Sequence, residues 1–341
     1  MALTLDRARD VAQTLDQTRL KAISLPRDLG MMAGDRMHPI EVGATEWTIP
    51  EADKEHWREH GWVILRQSVD LAVIDDLKHQ IQEYRQRHKS ETTNAKTGEG
   101  LRIGLLHTTN RTSREVGFNA QARAFLRWAF ESEPVLFGSL TFDIGSEQEA
   151  HIDAAFFYTQ PETSMAGVWT AFEDIHEDSG PLFYVDKSHT WPRLKAADVL
   201  ARDPDLAARV AAFRASGATK PDLKLSDEVY KAYIAEVERM TEEHGGRMLA
   251  MLDKGDVFIW HPWLVHGGMP RNNPSFTRRS MVVHYIGSDA KMWDQHDFFL
   301  RGDELDHTEP LKFSIRSSRG RPYIWHPGPV NFSMGDGHFA A

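Results

Sequence analysis

The sequence predicts an α+β protein, mainly β, whose strands close into a sandwich or barrel with helices packed outside. Three observations predict it. Short runs rich in β-branched and aromatic residues recur from residue 137 to 286. Clusters of Gly, Pro, Asn, Asp and Ser separate those runs. Stripes of apolar residues at helical spacing lie before them and in one interruption, 195–244. Many short strands with such breaks are the signature of a two-sheet or closed-sheet architecture.

Composition sets the bounds. The 341 residues are 41% apolar, with 10 Trp and 17 Phe, enough for a sizeable core in one large domain over 1–341. The net charge of −10 argues against a nucleic-acid partner and gives no attraction to anionic membranes. The absence of Cys excludes disulfides, thiolate metal sites and Cys nucleophiles. No run approaches the roughly 18 to 20 apolar residues of a membrane span, and the start of the chain lacks a signal core. The expectation is a soluble cytoplasmic protein that acts on a small molecule.

Each element has its own signal. Residues 1–20 read as a weakly amphipathic helix and 21–50, with Pro26, Gly30, Gly34, Pro39 and Gly43, as an irregular arm. Pro50-Glu-Ala-Asp53 opens a helix that stops at Gly61, and Trp62 to Arg66 is a short strand. Asp70 caps a helix over 70–88 carrying the stripe Leu71, Ile74, Leu77, Ile81, Tyr84. Residues 89–118 are polar and rich in Gly, Thr and Asn, a loop with at most short strands that can serve as a lid. Asn119 to Glu131 suits a helix, and 51–136 as a whole is helical and loop support. The core spans 137–290. Strands are expected at Phe137–Ile144, His151–Thr159, Gly167–Phe172, Leu182–Val185, Arg247–Leu252, Val257–His261 and Arg279–Ile286. The insertion 195–244 predicts two or three helices, and 291–341 an irregular tail.

One constellation carries chemistry. In a strand, residues i and i+2 share a face, so His151 and Asp153 present their heads together while Ile152 points away. A third ligand must come from another strand, and His266, 113 residues after Asp153, lies in a strand-like segment. Two imidazoles and one carboxylate are the facial triad of non-haem Fe(II), which leaves three positions open for a co-substrate and O₂. Arg278 follows with a planar fork suited to a carboxylate, with Arg279 as its rival because alternate residues face opposite ways. His151, Asp153 and His266 are thus both metal ligands and catalytic candidates. Arg102 and His107, in the Gly/Thr-rich segment, and Phe157, after the first ligands, are candidates for substrate contact; for Phe157 the alternative is ordinary sheet packing. His261 and His284 are expected to be satisfied core histidines, and Trp260 and Trp263 core aromatics.

Several ordered segments carry a family likeness. Ala150-His-Ile-Asp-Ala-Ala-Phe-Phe-Tyr158, Gly167-Val-Trp-Thr-Ala-Phe-Glu-Asp174, Asp178-Ser-Gly-Pro-Leu182, Gly255-Asp-Val-Phe258 and His266-Gly-Gly268 lie in order along the chain. Over residues 55–290 the chain resembles the phytanoyl-CoA dioxygenase family of Fe(II)/2-oxoglutarate oxygenases. The resemblance implies a double-stranded β-helix, or jelly-roll, core. It implies His151, Asp153 and His266 as iron ligands and Arg278 as the partner of the distal carboxylate of 2-oxoglutarate. It places Trp169 beside that co-substrate, where a core role is the alternative. Two departures stand out: the family's P-G-S-H turn reads Asp186-Lys-Ser-His189, and its H-G-S reads His266-Gly-Gly268, which removes one hydroxyl. The implied reaction hydroxylates or otherwise oxidises a small molecule with O₂, releasing succinate and CO₂. Halogenation is disfavoured because Asp153 retains the carboxylate. The competing readings are a cupin-like metal enzyme that does not use 2-oxoglutarate and a non-catalytic jelly-roll binding module.

Overall fold

The computed structural model describes residues 47–94, 98–302, 308–325 and 330–332. The expected helix over 1–20 and most of the arm over 21–50 lie outside them. The architecture is a jelly roll sandwiched between two helical layers.

The larger sheet contains β1 (Trp62–Leu65), β8 (Val257–Trp260), β5 (Met165–Ala171), β10 (Ser280–Gly287), β3 (Pro134–Phe142), β13 (Arg321–Trp325) and β12 (Ser314–Ser318), in that spatial order, with β2 (Arg102–Gly104) and β14 (Val330–Phe332) attached beside β3. The smaller sheet runs β7 (Arg247–Leu249), β6 (Leu182–Val185), β9 (His266–Gly268). A separate pair joins β4 (Phe157–Gln160) to β11 (Lys291–Asp294).

Alternation along the strands builds the layers. Leu140, Trp169, Phe258 and Val282 share one face of the larger sheet and pack on Leu182, Tyr184 and Leu264 of the opposite wall. Their neighbours Val168, Ile259, Met281 and Val283 face the other way, onto Ile74, Leu77, Phe125 and Leu126 of the N-terminal helices. Ile74, Leu77 and Ile81 are the buried stripe of the helix Leu71–Arg87, whose cap Asp70 accepts a hydrogen bond from Ala72 N at 2.8 Å. The preceding helix, Glu51–His60, ends at Gly61 in the left-handed region (φ 80), as expected of a C-terminal glycine.

The insertion forms three helices, Ala196–Leu200, Pro204–Ala215 and Leu223–His244. The longest repeats its buried residues one turn apart, Leu225, Val229, Tyr233 and Val237, and lays them on Ile152, Phe183, Val185 and Val265 of the outer face of the smaller sheet. The insertion therefore backs the wall that carries the ligands. In the departing turn Asp186-Lys-Ser-His189, Lys187 adopts φ 62, a conformation that glycine takes more cheaply. Asp186 fastens that turn by accepting from Trp62 Nε1 at 2.8 Å and bonding His60 Nδ1 at 2.9 Å.

Four expectations are corrected. The segment 89–118 is not only loop: Lys89–Thr92 and Arg111–Gly117 are helical, the latter capped by Asn110, which accepts from Ser113 N at 2.7 Å. The run His151–Thr159 is not one strand, because Asp153–Ala155 form a 3-10 turn and only Phe157–Gln160 pairs as β4. The strand expected over Arg247–Leu252 ends at Leu249. The tail is not irregular: β11, the helix Gln295–Arg301 and β12 to β14 lie in it, and β13 joins the larger sheet parallel to β3.

Candidate metal centre

His151 and His266 lie side by side on the wall formed by the smaller sheet. They form an antiparallel bridge in which each backbone N–H donates to the other's carbonyl, at 2.9 and 3.0 Å. Their rings lie 4.3 Å apart. The chain then turns at Asp153, with Ala154 N held by Pro262 O at 3.0 Å, so the carboxylate swings towards both imidazoles. Asp153 Oδ1 lies 3.6 Å from His266 Nε2 and 4.0 Å from His151 Nε2. One ligand atom from each of the three residues falls within 4.8 Å of the others, and all three side chains are buried. Ile152 points into the core behind the wall, as strand alternation predicts, although the regular strand ends there.

The hydrogen bonds assign the imidazole roles. His151 Nδ1 bonds Glu149 O at 2.8 Å and His266 Nδ1 bonds Leu264 O at 2.9 Å. A carbonyl only accepts, so both Nδ1 atoms carry the proton and both Nε2 lone pairs face the shared space. Burial, with the neighbouring His266 second, pushes His151 down to about 3, which keeps its ring neutral at neutral pH. Burial also lowers His266. Burial opposes ionisation of Asp153, but His266, His284 and His151 together outweigh it and hold the carboxyl below its ordinary range. Two neutral nitrogens and one carboxylate oxygen, pre-oriented and screened from water, fit a small divalent cation.

A second feature lies at the start of β10. Arg278 is 2% exposed, and its Nε and Nη1 have no hydrogen-bond partner among the described residues. Its guanidinium sits 5.6 Å from the Phe142 ring and 5.7 Å from the Trp169 ring. Burial, with the charge of Arg102 second, pushes its pKa down to about 10. Arg102 is itself lowered by burial, and its Nε also lacks a partner. Two desolvated cations therefore lie close enough for the charge of one to act on the other. Arg279 is spoken for: its Nη1 donates to Glu173 Oε2 at 3.1 Å and its backbone N to Glu173 Oε1 at 2.7 Å. That separates the two neighbouring arginines.

The other candidates divide. Phe157 stands 5.6 Å from the His284 ring and 5.0 Å from Phe137, at the edge of the centre. A bulge in the β3–β10 ladder between His284 and Tyr285 helps to bring Phe137 there. His107 is not brought to the centre. It is fully buried, with Nδ1 on Ser139 Oγ at 2.7 Å and Nε2 on Ile324 O at 3.1 Å. Ser139 pairs with Val283, whose side chain belongs to the helix-covered face, so His107 lies on the far side of the sheet. His261 is a buried core histidine whose Nδ1 accepts from Trp263 N at 3.2 Å.

Two residues expected to be plain core touch the carboxylate. Trp260 Nε1 donates to Asp153 Oδ2 at 2.8 Å, and His284 Nε2 lies 3.6 Å from the same oxygen. The period-2 signal was present: Arg278, Ser280, Val282 and His284 alternate along one strand, so the face that carries Arg278 also carries His284. The missing hydroxyl of His266-Gly-Gly268 has a steric cause. A Cβ at Gly268 would lie 2.6 Å from Ser146 Oγ and 2.8 Å from Glu147 N, so the neighbouring loop fills the space a serine needs.

The family model described as phytanoyl-CoA dioxygenase (PhyH) matches residues 57–280, well over half the chain. The chain belongs to the phytanoyl-CoA dioxygenase family. A phytanoyl-CoA dioxygenase domain-containing protein 1 from Danio rerio is 46% identical over 164 residues, 48% of this chain and 47% of that protein. A peroxisomal phytanoyl-CoA dioxygenase from Rattus norvegicus is 27% identical over 146 residues, 43% of this chain and 35% of that protein. The matches thus span less than half the length of these curated relatives. Among solved structures, the non-haem α-ketoglutarate-dependent carbocyclase SnoK from nogalamycin biosynthesis is 14% identical, with a TM-score of 0.55 over 83% of this chain and 99% of that one. EctD from S. alaskensis with bound Fe is also 14% identical, with a TM-score of 0.51 over 84% of this chain and 92% of that one. These two likenesses carry the fold. Among the described residues no helix is long and apolar enough to cross a membrane.

Proposed function

We propose that this chain is an Fe(II)/2-oxoglutarate-dependent oxygenase that hydroxylates, or otherwise oxidises, a small molecule. The observation that carries the reading is a buried His-Asp-His cluster together with a buried arginine whose Nε and Nη1 find no partner among the described residues. Bound at that cluster, a ferrous ion supplies O₂ activation coupled to conversion of 2-oxoglutarate into succinate and CO₂ and to oxidation of a substrate C–H bond.

The protein's own residues supply the rest. His151 Nε2, His266 Nε2 and Asp153 Oδ1 hold the ion, with proton positions fixed by the Glu149 and Leu264 carbonyls. Arg278 pairs with the distal carboxylate of 2-oxoglutarate, and Arg102 adds a second positive charge nearby. Trp169 flanks the guanidinium. Phe157 lines the side from which a substrate arrives. Burial of the cluster excludes bulk water, which protects the co-substrate from unproductive turnover.

The test is an anaerobic Fe(II)/2-oxoglutarate titration followed by a screen of small molecules that reads succinate, with Asp153→Ala as control. Succinate formation that needs Fe(II) and disappears in Asp153→Ala supports the assignment. Unchanged succinate formation in that variant removes it.

A further inference from the structure

Four adjacent strands place Gly138, His284, Gly167 and Trp260 opposite one another across the larger sheet, through the pairs His284↔Gly138, His284↔Gly167 and Gly167↔Trp260. Directly paired residues point to the same face, so the two large rings alternate with two glycines on the wall that faces the metal centre. The gap at Gly167 is required: a Cβ there would sit 2.2 Å from Trp260 Cε2. The indole leans over that glycine, and its Nε1 reaches Asp153 Oδ2 at 2.8 Å. His284 flanks the same oxygen at 3.6 Å, between Phe137 and Phe157. Trp260 and Asp153 are 2% exposed, so water does not compete for the bond.

The geometry points to Trp260 as a positioning residue that restricts Asp153 to a single oxygen at the metal. The inference rests on the metal-site reading above. An indole N–H is a donor only, and it occupies Oδ2, not the oxygen that approaches His151 Nε2 and His266 Nε2. Oδ1 is left facing both imidazoles. A carboxylate that binds through one oxygen leaves three coordination positions free, whereas one that binds through both closes a position that a chelating co-substrate or O₂ needs. His284 limits sideways movement of the carboxylate, and Gly167 makes room for the indole.

The experiment uses Co(II) as probe in the full chain under anaerobic conditions, comparing wild type with Trp260→Phe, which keeps an aromatic ring and removes the donor. Circular dichroism and thermal unfolding establish that the variant is folded. Co(II) affinity in the variant is expected to fall about 10–100-fold, the usual consequence of losing an outer-shell partner. The visible Co(II) spectrum is expected to change, and 2-oxoglutarate is expected to perturb it less than in wild type. Wild-type affinity and an unchanged spectrum in a folded variant overturn the inference while leaving the metal site intact. No Co(II) binding by wild type overturns the metal site itself. The wild-type chain, labelled with ¹⁵N-Trp, gives a test that needs no folded variant. A Trp260 indole proton protected from exchange and shifted on metal addition supports the bond, and a freely exchanging one overturns it.

Discussion

Arg278→Met replaces a buried cation, without an ion-pair partner among the described residues, with an apolar chain of similar length. Moving the guanidinium pKa from 12.5 to about 10 corresponds to roughly 3 kcal/mol of destabilisation of the charged form in the fold. The Phe142 and Trp169 rings, at 5.6 and 5.7 Å, return part of that through cation–π attraction, about 1 kcal/mol in a weakly favourable geometry. The net expectation is that Arg278→Met stabilises the protein free of co-substrate by about 1–2 kcal/mol, as replacing buried ionic groups by apolar ones often does. That is a rise in Tm of ~1–3 °C for a chain of this length. Calorimetry with and without 2-oxoglutarate, in the presence of Co(II), reads both halves of the argument. Co-substrate at about 100 times its Kd stabilises wild type by about 2.7 kcal/mol, and the variant is expected to show no such shift. A variant that is less stable without co-substrate, yet still stabilised by it, refutes the view of Arg278 as an anion receptor kept unpaired at a cost.

Two further predictions follow from the histidines outside the centre. His107→Ala removes the imidazole bonds to Ile324 O and to Ser139 Oγ, leaving that hydroxyl the longer bond from the backbone N of residue 107 at 3.3 Å. A loss of about 2–4 kcal/mol in denaturant unfolding is expected, with Co(II) and 2-oxoglutarate affinity unchanged; weakened ligand binding in the folded variant contradicts a purely structural His107. His261 is pushed down to about 3, by burial first and then by His189 and Arg193. The unfolded chain therefore takes up this proton near pH 6.5 and the folded chain only near pH 3. Stability from His261 is complete above about pH 6.5 and declines through that window at up to ~1.4 kcal/mol per pH unit. His261→Asn, which keeps an acceptor for Trp263 N, is expected to flatten the slope between pH 6 and pH 4, and an unchanged slope contradicts the assignment.

Much of this molecule is legible in the sequence because its signals are local and periodic. The caps at Asp70 and Gly61, the stripe of the Leu71–Arg87 helix and the helical insertion all follow from side chains within one or two turns. The ligand set is legible because so few residue types bind iron. What escaped depends on partners distant in sequence. Strands β12 and β13 carry no strong alternation; they form a hairpin across Arg319-Gly320, and β13 is held in the sheet by β3, which lies far away in sequence. Asp153 lies in a turn because its carboxylate is held by Trp260 and the N–H of the following Ala154 by Pro262, both more than 100 residues on. Arg111–Gly117 is a short polar helix whose main local signal is the Asn110 cap. His107 looked functional because its segment is polar and rich in Gly and Thr, yet its ring is locked by groups from β3 and from the tail.

The central claim is that His151, Asp153 and His266 share one divalent cation. Anaerobic isothermal titration with Co(II) tests it most directly, in wild type and in His151→Ala, Asp153→Ala and His266→Ala, each first shown to be folded. One tight equivalent per chain in wild type, and weak or absent binding in all three variants, is the expected result. A variant that binds Co(II) with wild-type affinity contradicts the claim.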